Sequence, residues 1–178
     1  MAIDDETARS NDAAENGLHT EGAYSKLSAN ISRNQTLYKN LSLFGSVNGQ
    51  WTNSNLDSAE QFSLGGPSGV RAFPVGEASG DMGVICTGEL RYLFESLRIF
   101  PGSLQLSAFF DYGTVTLHKN PVAPDNNRHI AGAGFGLSWF DAESFNIRTT
   151  VAWKTDGTAS GQSEISQPTV YLQAVKRF

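Results

Sequence analysis

Arg71 is the one cation in the twenty-residue stretch 62–81, which also carries five glycines and two prolines. A guanidinium held away from water needs carboxylate partners, best met bidentately. The chemistry on offer here is therefore electrostatic docking. Other chemistries fail on spacing. Gly65-Gly66-Pro67-Ser68-Gly69 is followed by neither the Lys-Ser/Thr nor the helix of a phosphate-binding loop. Ser68 lacks the Gly-x-Ser-x-Gly frame of a hydrolase nucleophile. His19, His118 and His129 share no metal-ligand or triad spacing with other residues. Cys86 is the only cysteine, so an internal disulfide is excluded. No enzyme activity, metal or cofactor is expected.

The elements that must position Arg71 have a period of two. Seven segments alternate apolar and polar residues: about 22–34, 37–52, 82–95, 103–117, 130–140, 144–155 and 165–178. In 103–117, Leu104, Leu106, Ala108, Phe110 and Tyr112 oppose Gln105, Ser107, Phe109, Asp111 and Gly113. In 144–155, Phe145, Ile147, Thr149, Val151 and Trp153 oppose Asn146, Arg148, Thr150, Ala152 and Lys154. In 130–140, Gly132, Gly134 and Gly136 share one face and leave room for close packing. Alternation predicts strands with one apolar and one polar face, and no segment reads as a helix.

Strand length separates a membrane wall from a soluble sandwich. These segments are much longer than the ~5–6 residues usual in globular sheets and reach or exceed the ~9–11 that a tilted membrane strand needs. Trp51, Tyr112, Trp139 and Trp153 lie toward the ends of the apolar faces, where an interfacial girdle belongs. Connections alternate between short (about 35–36, 96–102 and 141–143) and long (53–81, 118–129 and 156–164). Short inner turns and long outer loops are the pattern of bacterial outer-membrane barrels. No run approaches the ~20 apolar residues of a membrane helix, and mean hydropathy is only −0.28 because strand faces average out. A net charge of −5 argues against a nucleic-acid partner.

The fold predicted is all-β: a seven-strand antiparallel part of a transmembrane β-barrel with a long inward-folded loop. Residues 1–20 are expected to be disordered or the remnant of an external loop, and 21–178 to form the barrel portion with its loop at 53–81. An odd number of strands does not close a standard barrel, so the chain reads as a fragment.

Particular motifs sharpen this expectation. Gly49-Gln50-Trp51 closes a strand, and Leu56-Asp57-Ser58-Ala59-Glu60-Gln61-Phe62-Ser63-Leu64-Gly65-Gly66 follows. Val70-Arg71-Ala72-Phe73, Gly80-Asp81, Gly83, Glu89-Leu90-Arg91-Tyr92, Phe110-Asp111-Tyr112-Gly113 and a terminal Phe178 come after it. From about residue 20 to 178 the chain resembles the C-terminal barrel portion of two-partner secretion transporters, the ShlB/FhaC/HecB haemolysin secretion/activation family. The resemblance implies a sixteen-stranded pore in the outer membrane of a Gram-negative bacterium that exports a partner polypeptide without ATP. It further implies that the loop 53–81 folds into the lumen, where Arg71 pairs with Asp111 or Glu89 beside Gly113. Gly65, Gly66, Val70, Ala72, Phe73, Gly80 and Asp81 complete the loop motif. Tyr171, Leu172, Val175 and Phe178 resemble the terminal signal read by the barrel-assembly machinery. Outer-membrane lipids are the remaining partner expected.

One departure concerns the loop tip. The family most often has Gly after the arginine, whereas this chain has Ala72, so the tip must adopt a backbone open to L-residues. The alternatives to this reading are another outer-membrane barrel, of porin or assembly-insertase type, and a soluble β-sandwich binding module.

Overall fold

The computed structural model describes residues 23–94, 102–120, 124–141, 144–157 and 168–177. Residues 1–20 and Phe178, with their expected roles, lie outside the described residues, as does most of the connections 96–102 and 156–164. Among the described residues there are nine strands. They are β1 (Lys26–Tyr38), β2 (Leu41–Thr52), β3 (Phe62–Ser63), β4 (Ser79–Gly80), β5 (Met82–Phe94), β6 (Ser103–Thr116), β7 (Asn127–Asp141), β8 (Phe145–Asp156) and β9 (Thr169–Lys176).

The seven long strands form one antiparallel sheet in the order β1-β2-β5-β6-β7-β8-β9. Each pairs with its neighbour in sequence, and every crossing of the sheet reverses direction. β3 and β4 pair only with each other and close the base of the long loop 53–81. Sequence periodicity could not resolve a two-residue ladder.

The first hairpin differs from expectation. Its turn is at Lys39–Asn40, where Lys39 has φ of 42°, and not at 35–36. Asn40 is a turn former, and Tyr38 faces Leu41 directly across the hairpin. β1 runs from Lys26 to Tyr38 and not from about 22 to 34, because Gln35 and Thr36 stay in the ladder opposite Leu43 and Ser42; a register shift between Thr36 and Tyr38 absorbs one extra residue. β9 begins only after Pro168, which has no N–H to offer a ladder.

The pairing registers put the alternation onto two faces. One face carries Leu43, Val47, Leu90, Leu106, Phe110, Phe135, Leu137 and Leu172, all exposed. Ile31 and Leu172 are 74% and 72% exposed, a placement that suits hydrocarbon and not water. Cys86 is exposed on this same face, between Val84 and Leu90. Aromatics edge the face at both ends of the strands. Tyr92 meets Phe94, and Trp139 meets Phe145, each at 4.7 Å near the short turns. Trp51 and Trp153 lie toward the opposite ends of their strands. The opposite, inner face is mostly polar, and the long loop lies on part of it.

The hydrophobic core is this loop contact. Leu64, Val70 and Phe73 of the loop pack on Ile85, Phe109, Val115, Ile130 and Ala152 of the inner wall. The large sheet keeps its apolar side facing out, and among the described residues the second sheet is only the two-residue pair β3–β4, too small to make a sandwich core.

Candidate functional site

The loop 64–78 is a compact fold of its own. Val70 N–H donates to Leu64 O at 2.7 Å, Gly66 N–H to Phe73 O at 3.0 Å and Gly65 N–H to Glu77 O at 3.1 Å. Phe73 N–H returns to Val70 O at 3.1 Å, which closes the tip. Glycine is needed where backbones cross: a side chain at Gly65 would collide with the Pro74 carbonyl, and one at Gly69 with that of Leu64. The tip thereby presents the Arg71 side chain to the inner wall.

Two acidic residues of that wall receive it. Asp111 on β6 and Glu89 on β5 both lie on the inner face, because Thr87 pairs with Asp111 and Glu89 with Phe109. Arg71 Nε and Nη2 donate to the two oxygens of Asp111 at 2.8 and 2.9 Å. The Arg71 backbone N–H also donates to Asp111 Oδ2 at 3.1 Å, and Thr87 Oγ1 donates to Oδ1 at 3.0 Å. Arg71 Nη1 donates to Glu89 Oε2 at 2.9 Å. The other oxygen of Glu89 accepts from Arg91 Nε at 3.0 Å, and Arg148 Nη2 lies 3.6 Å from Oε2.

Beneath this network the Arg71 guanidinium sits over the Phe109 ring, 3.3 Å from its centre. Burial works against the charge on Arg71. The hydrogen bonds and attraction of Asp111, then of Glu89, outweigh it and hold the guanidinium above its usual range. Asp111 is fully buried and Glu89 and Arg71 nearly so, so a break in the pairing leaves an uncompensated charge.

The tip backbone is held from another side. Thr169 Oγ1 donates to the Ala72 carbonyl at 2.9 Å, and Tyr171 OH donates to the Phe73 carbonyl at 3.0 Å. Lys154 lies 5.1 Å from the centre of the buried Phe73 ring. Ala72 is absent from the residues of positive φ, so the tip does use a backbone open to L-residues. Its methyl group rests where a side chain at Gly132 would stand. Gly113 performs the same service under Leu64 and Val70.

Asp81 anchors the base of the loop. Its Oδ1 accepts from Leu56 N–H at 3.3 Å and from Gln61 Nε2 at 3.1 Å, and its Oδ2 from Lys119 N–H at 2.8 Å. Beside it, Asn120 N–H donates to Asn55 Oδ1 at 2.7 Å. Gly80 lets this base press against the Thr116 and Leu117 backbone.

The structure thus brings Arg71, Asp111 and Glu89 together, with Gly65, Gly66, Val70, Ala72 and Phe73 shaping the tip and Gly80 and Asp81 its base. Three contacts escaped the sequence reading: those of Thr169 and Tyr171 with the tip, and the Asp81–Lys119 link. Period two places Thr169 and Tyr171 on one face of β9, but alternation does not name the carbonyls they reach. Tyr171 and Val175 fall on the inner face and Leu172 on the outer.

A single-layer sheet with an apolar outer face, aromatic edges and a loop docked on its polar side defines part of an outer-membrane β-barrel wall. Residues 5–139 match the haemolysin secretion/activation protein ShlB/FhaC/HecB family, and the chain belongs to it. The chain is 31% identical over 153 residues to the heme/hemopexin transporter protein HuxB of Haemophilus influenzae, a match covering 83% of the chain and 26% of HuxB. It is 32% identical over 122 residues to the outer membrane transporter CdiB of Escherichia coli, covering 68% of the chain and 18% of CdiB. The chain therefore spans about a quarter or less of the length of these curated relatives. Family membership places this segment in the outer membrane of a Gram-negative bacterium.

Proposed function

We propose that the chain supplies one wall and the plug loop of a conduit that carries a large partner polypeptide, of haemolysin or adhesin type, across the outer membrane. HuxB is named for heme and hemopexin, and an exported haem-acquisition protein is a third partner of the same class. The conduit is not an enzyme and needs no cofactor. The partner passes in extended form and folds outside, so that folding and the loss of backward diffusion draw it outward. Lipids contact the apolar outer face, and the barrel-assembly machinery inserts the wall.

The observation that carries this reading is the docking of Arg71 on Asp111 and Glu89. A loop held by a buried ion cluster occupies the inner wall in a fixed place, which a passive diffusion pore does not require. In this role the loop holds the barrel in its transport-competent shape. The test is secretion by a complete transporter carrying this segment. Arg71→Ala is expected to reduce release of the partner about tenfold or more, given the ~3–5 kcal/mol cost of stranding a buried carboxylate, while the barrel stays inserted and heat-modifiable. Undiminished secretion by that variant would remove the loop from the transport mechanism.

A further inference from the structure

The inner wall is divided by chemistry. From β5 to β9 it carries the ion cluster and lies under the loop, with Glu89, Asp111, Ile130 and Ala152 buried. On β1 and β2 it carries Ser28, Asn30, Ser32 and Asn34 opposite Gln50, Asn48, Ser46 and Phe44. β1 is exposed along its whole length. Asn30 Nδ2 donates to Asn48 Oδ1 at 3.1 Å, so the amides already hydrogen-bond across the pair. Phe44, with Arg91 4.1 Å from its ring centre, marks the border with the ion cluster. Lys26, at the far end of β1, is paired with Glu60.

We propose that this neutral Asn/Ser face of β1 and β2 is the track along which the exported polypeptide slides in extended form. The inference rests on the transport reading above and narrows it to one wall. An extended chain presents backbone N–H and C=O groups to one side every second residue, about 6.8 Å apart. Inward side chains on a strand repeat at the same ~6.8 Å. Amides donate and accept, and hydroxyls do both, so these side chains engage either backbone group whatever the passing sequence. None of the six residues Ser28, Asn30, Ser32, Asn34, Ser46 and Asn48 carries a charge that would hold an acidic or basic segment. Conduction requires contacts that are numerous and individually weak, and this face supplies them. The loop-covered wall, with its strong buried ion pairs, does not.

The test is photo-crosslinking during secretion. p-Benzoylphenylalanine is placed at Asn30, Ser32 or Asn48, and for comparison at Asn146 or Gln173, exposed inner positions of β8 and β9. The transporter secretes an epitope-tagged partner with a disulfide-locked domain at its end, which stalls the chain in the lumen. Adduct yields about tenfold higher at 30, 32 and 48 are expected, following the higher local concentration of chain on the track. Equal or reversed yields while the unmodified transporter secretes would overturn the track and leave the transport reading standing. If the unmodified transporter releases no partner, the transport reading falls and the track falls with it. As a second measurement, the pair Asn30→Lys and Asn48→Lys should slow secretion about tenfold by trapping acidic segments. Asn30→Ser with Asn48→Ser should not, and equal rates for the two pairs would count against the track.

Discussion

Arg71 differs from a surface arginine in how completely it is committed. Its side chain and its own backbone N–H converge on Asp111, while Glu89 and the Phe109 ring take the remaining faces. Arg71→Lys keeps the charge and loses the fork that spans both oxygens of Asp111. It should therefore secrete at a level between wild type and Arg71→Ala, measured as partner in the medium. The folded-state pKa of Arg71 is raised, so its contribution is complete below the ordinary arginine range and is lost only as pH climbs past it. Loop protection should thus show no loss from this group as pH rises from neutral toward ~10, still below the ordinary arginine range. The tip offers a sharper steric test. Gly132→Val pushes a side chain into the Ala72 methyl and should cost about 1–3 kcal/mol of loop docking. Adding Ala72→Gly should recover part of it in a double-mutant cycle on unfolding. Additive effects would mean that the two positions do not touch.

At the scale of elements, the loop is braced at both ends. Thr169 and Tyr171 hold the tip carbonyls, and Asp81 holds the base to Leu56, Gln61 and Lys119. Asp81→Ala leaves two backbone N–H groups and one amide without their acceptor, at about 1–3 kcal/mol for each that stays buried. The expected result is faster proteolysis near residues 118–120 in a barrel that remains inserted. Unchanged cleavage would show that Asp81 does not tie the two loops. Much of the element structure was legible in the sequence, because a period of two sustained over a dozen residues has one interpretation. Asp111 could be placed on the polar face of its strand from alternation alone, and the family resemblance supplied Glu89 and the pairing with Arg71. What alternation could not give was register. The turn lies at Lys39–Asn40 and not at 35–36 because the polar residues Asn34, Gln35 and Thr36, which read as a turn, continue the ladder opposite Phe44, Leu43 and Ser42. The Thr169 and Tyr171 contacts lie 97 and 98 residues from their partners, beyond any local signal.

The whole molecule is a wall with two solvents. Its outer side chains are mostly apolar and exposed, and its inner ones are mostly polar or covered by the loop. Substitutions should sort accordingly. Phe135→Lys places a charge on the lipid side and should cost about 2–4 kcal/mol near the midplane, read from urea titrations of the transporter folded into vesicles. Asn34→Lys, on the inner face, should leave folding within error. Equal costs on the two faces would contradict the assignment of lipid and lumen sides. Two edges remain in the sheet, β1 and β9, and a lipid environment demands that each be paired within a closed barrel. The central claim is that the loop 53–81 is a folded plug locked onto the inner wall by Arg71. Hydrogen–deuterium exchange of the inserted transporter measures this directly. The amides of Gly65, Gly66, Val70, Arg71 and Phe73, each hydrogen-bonded in the structure, should exchange slowly in the wild type and much faster in Arg71→Ala, with the strands protected in both. Rapid wild-type exchange at these amides beside protected strands would contradict the account.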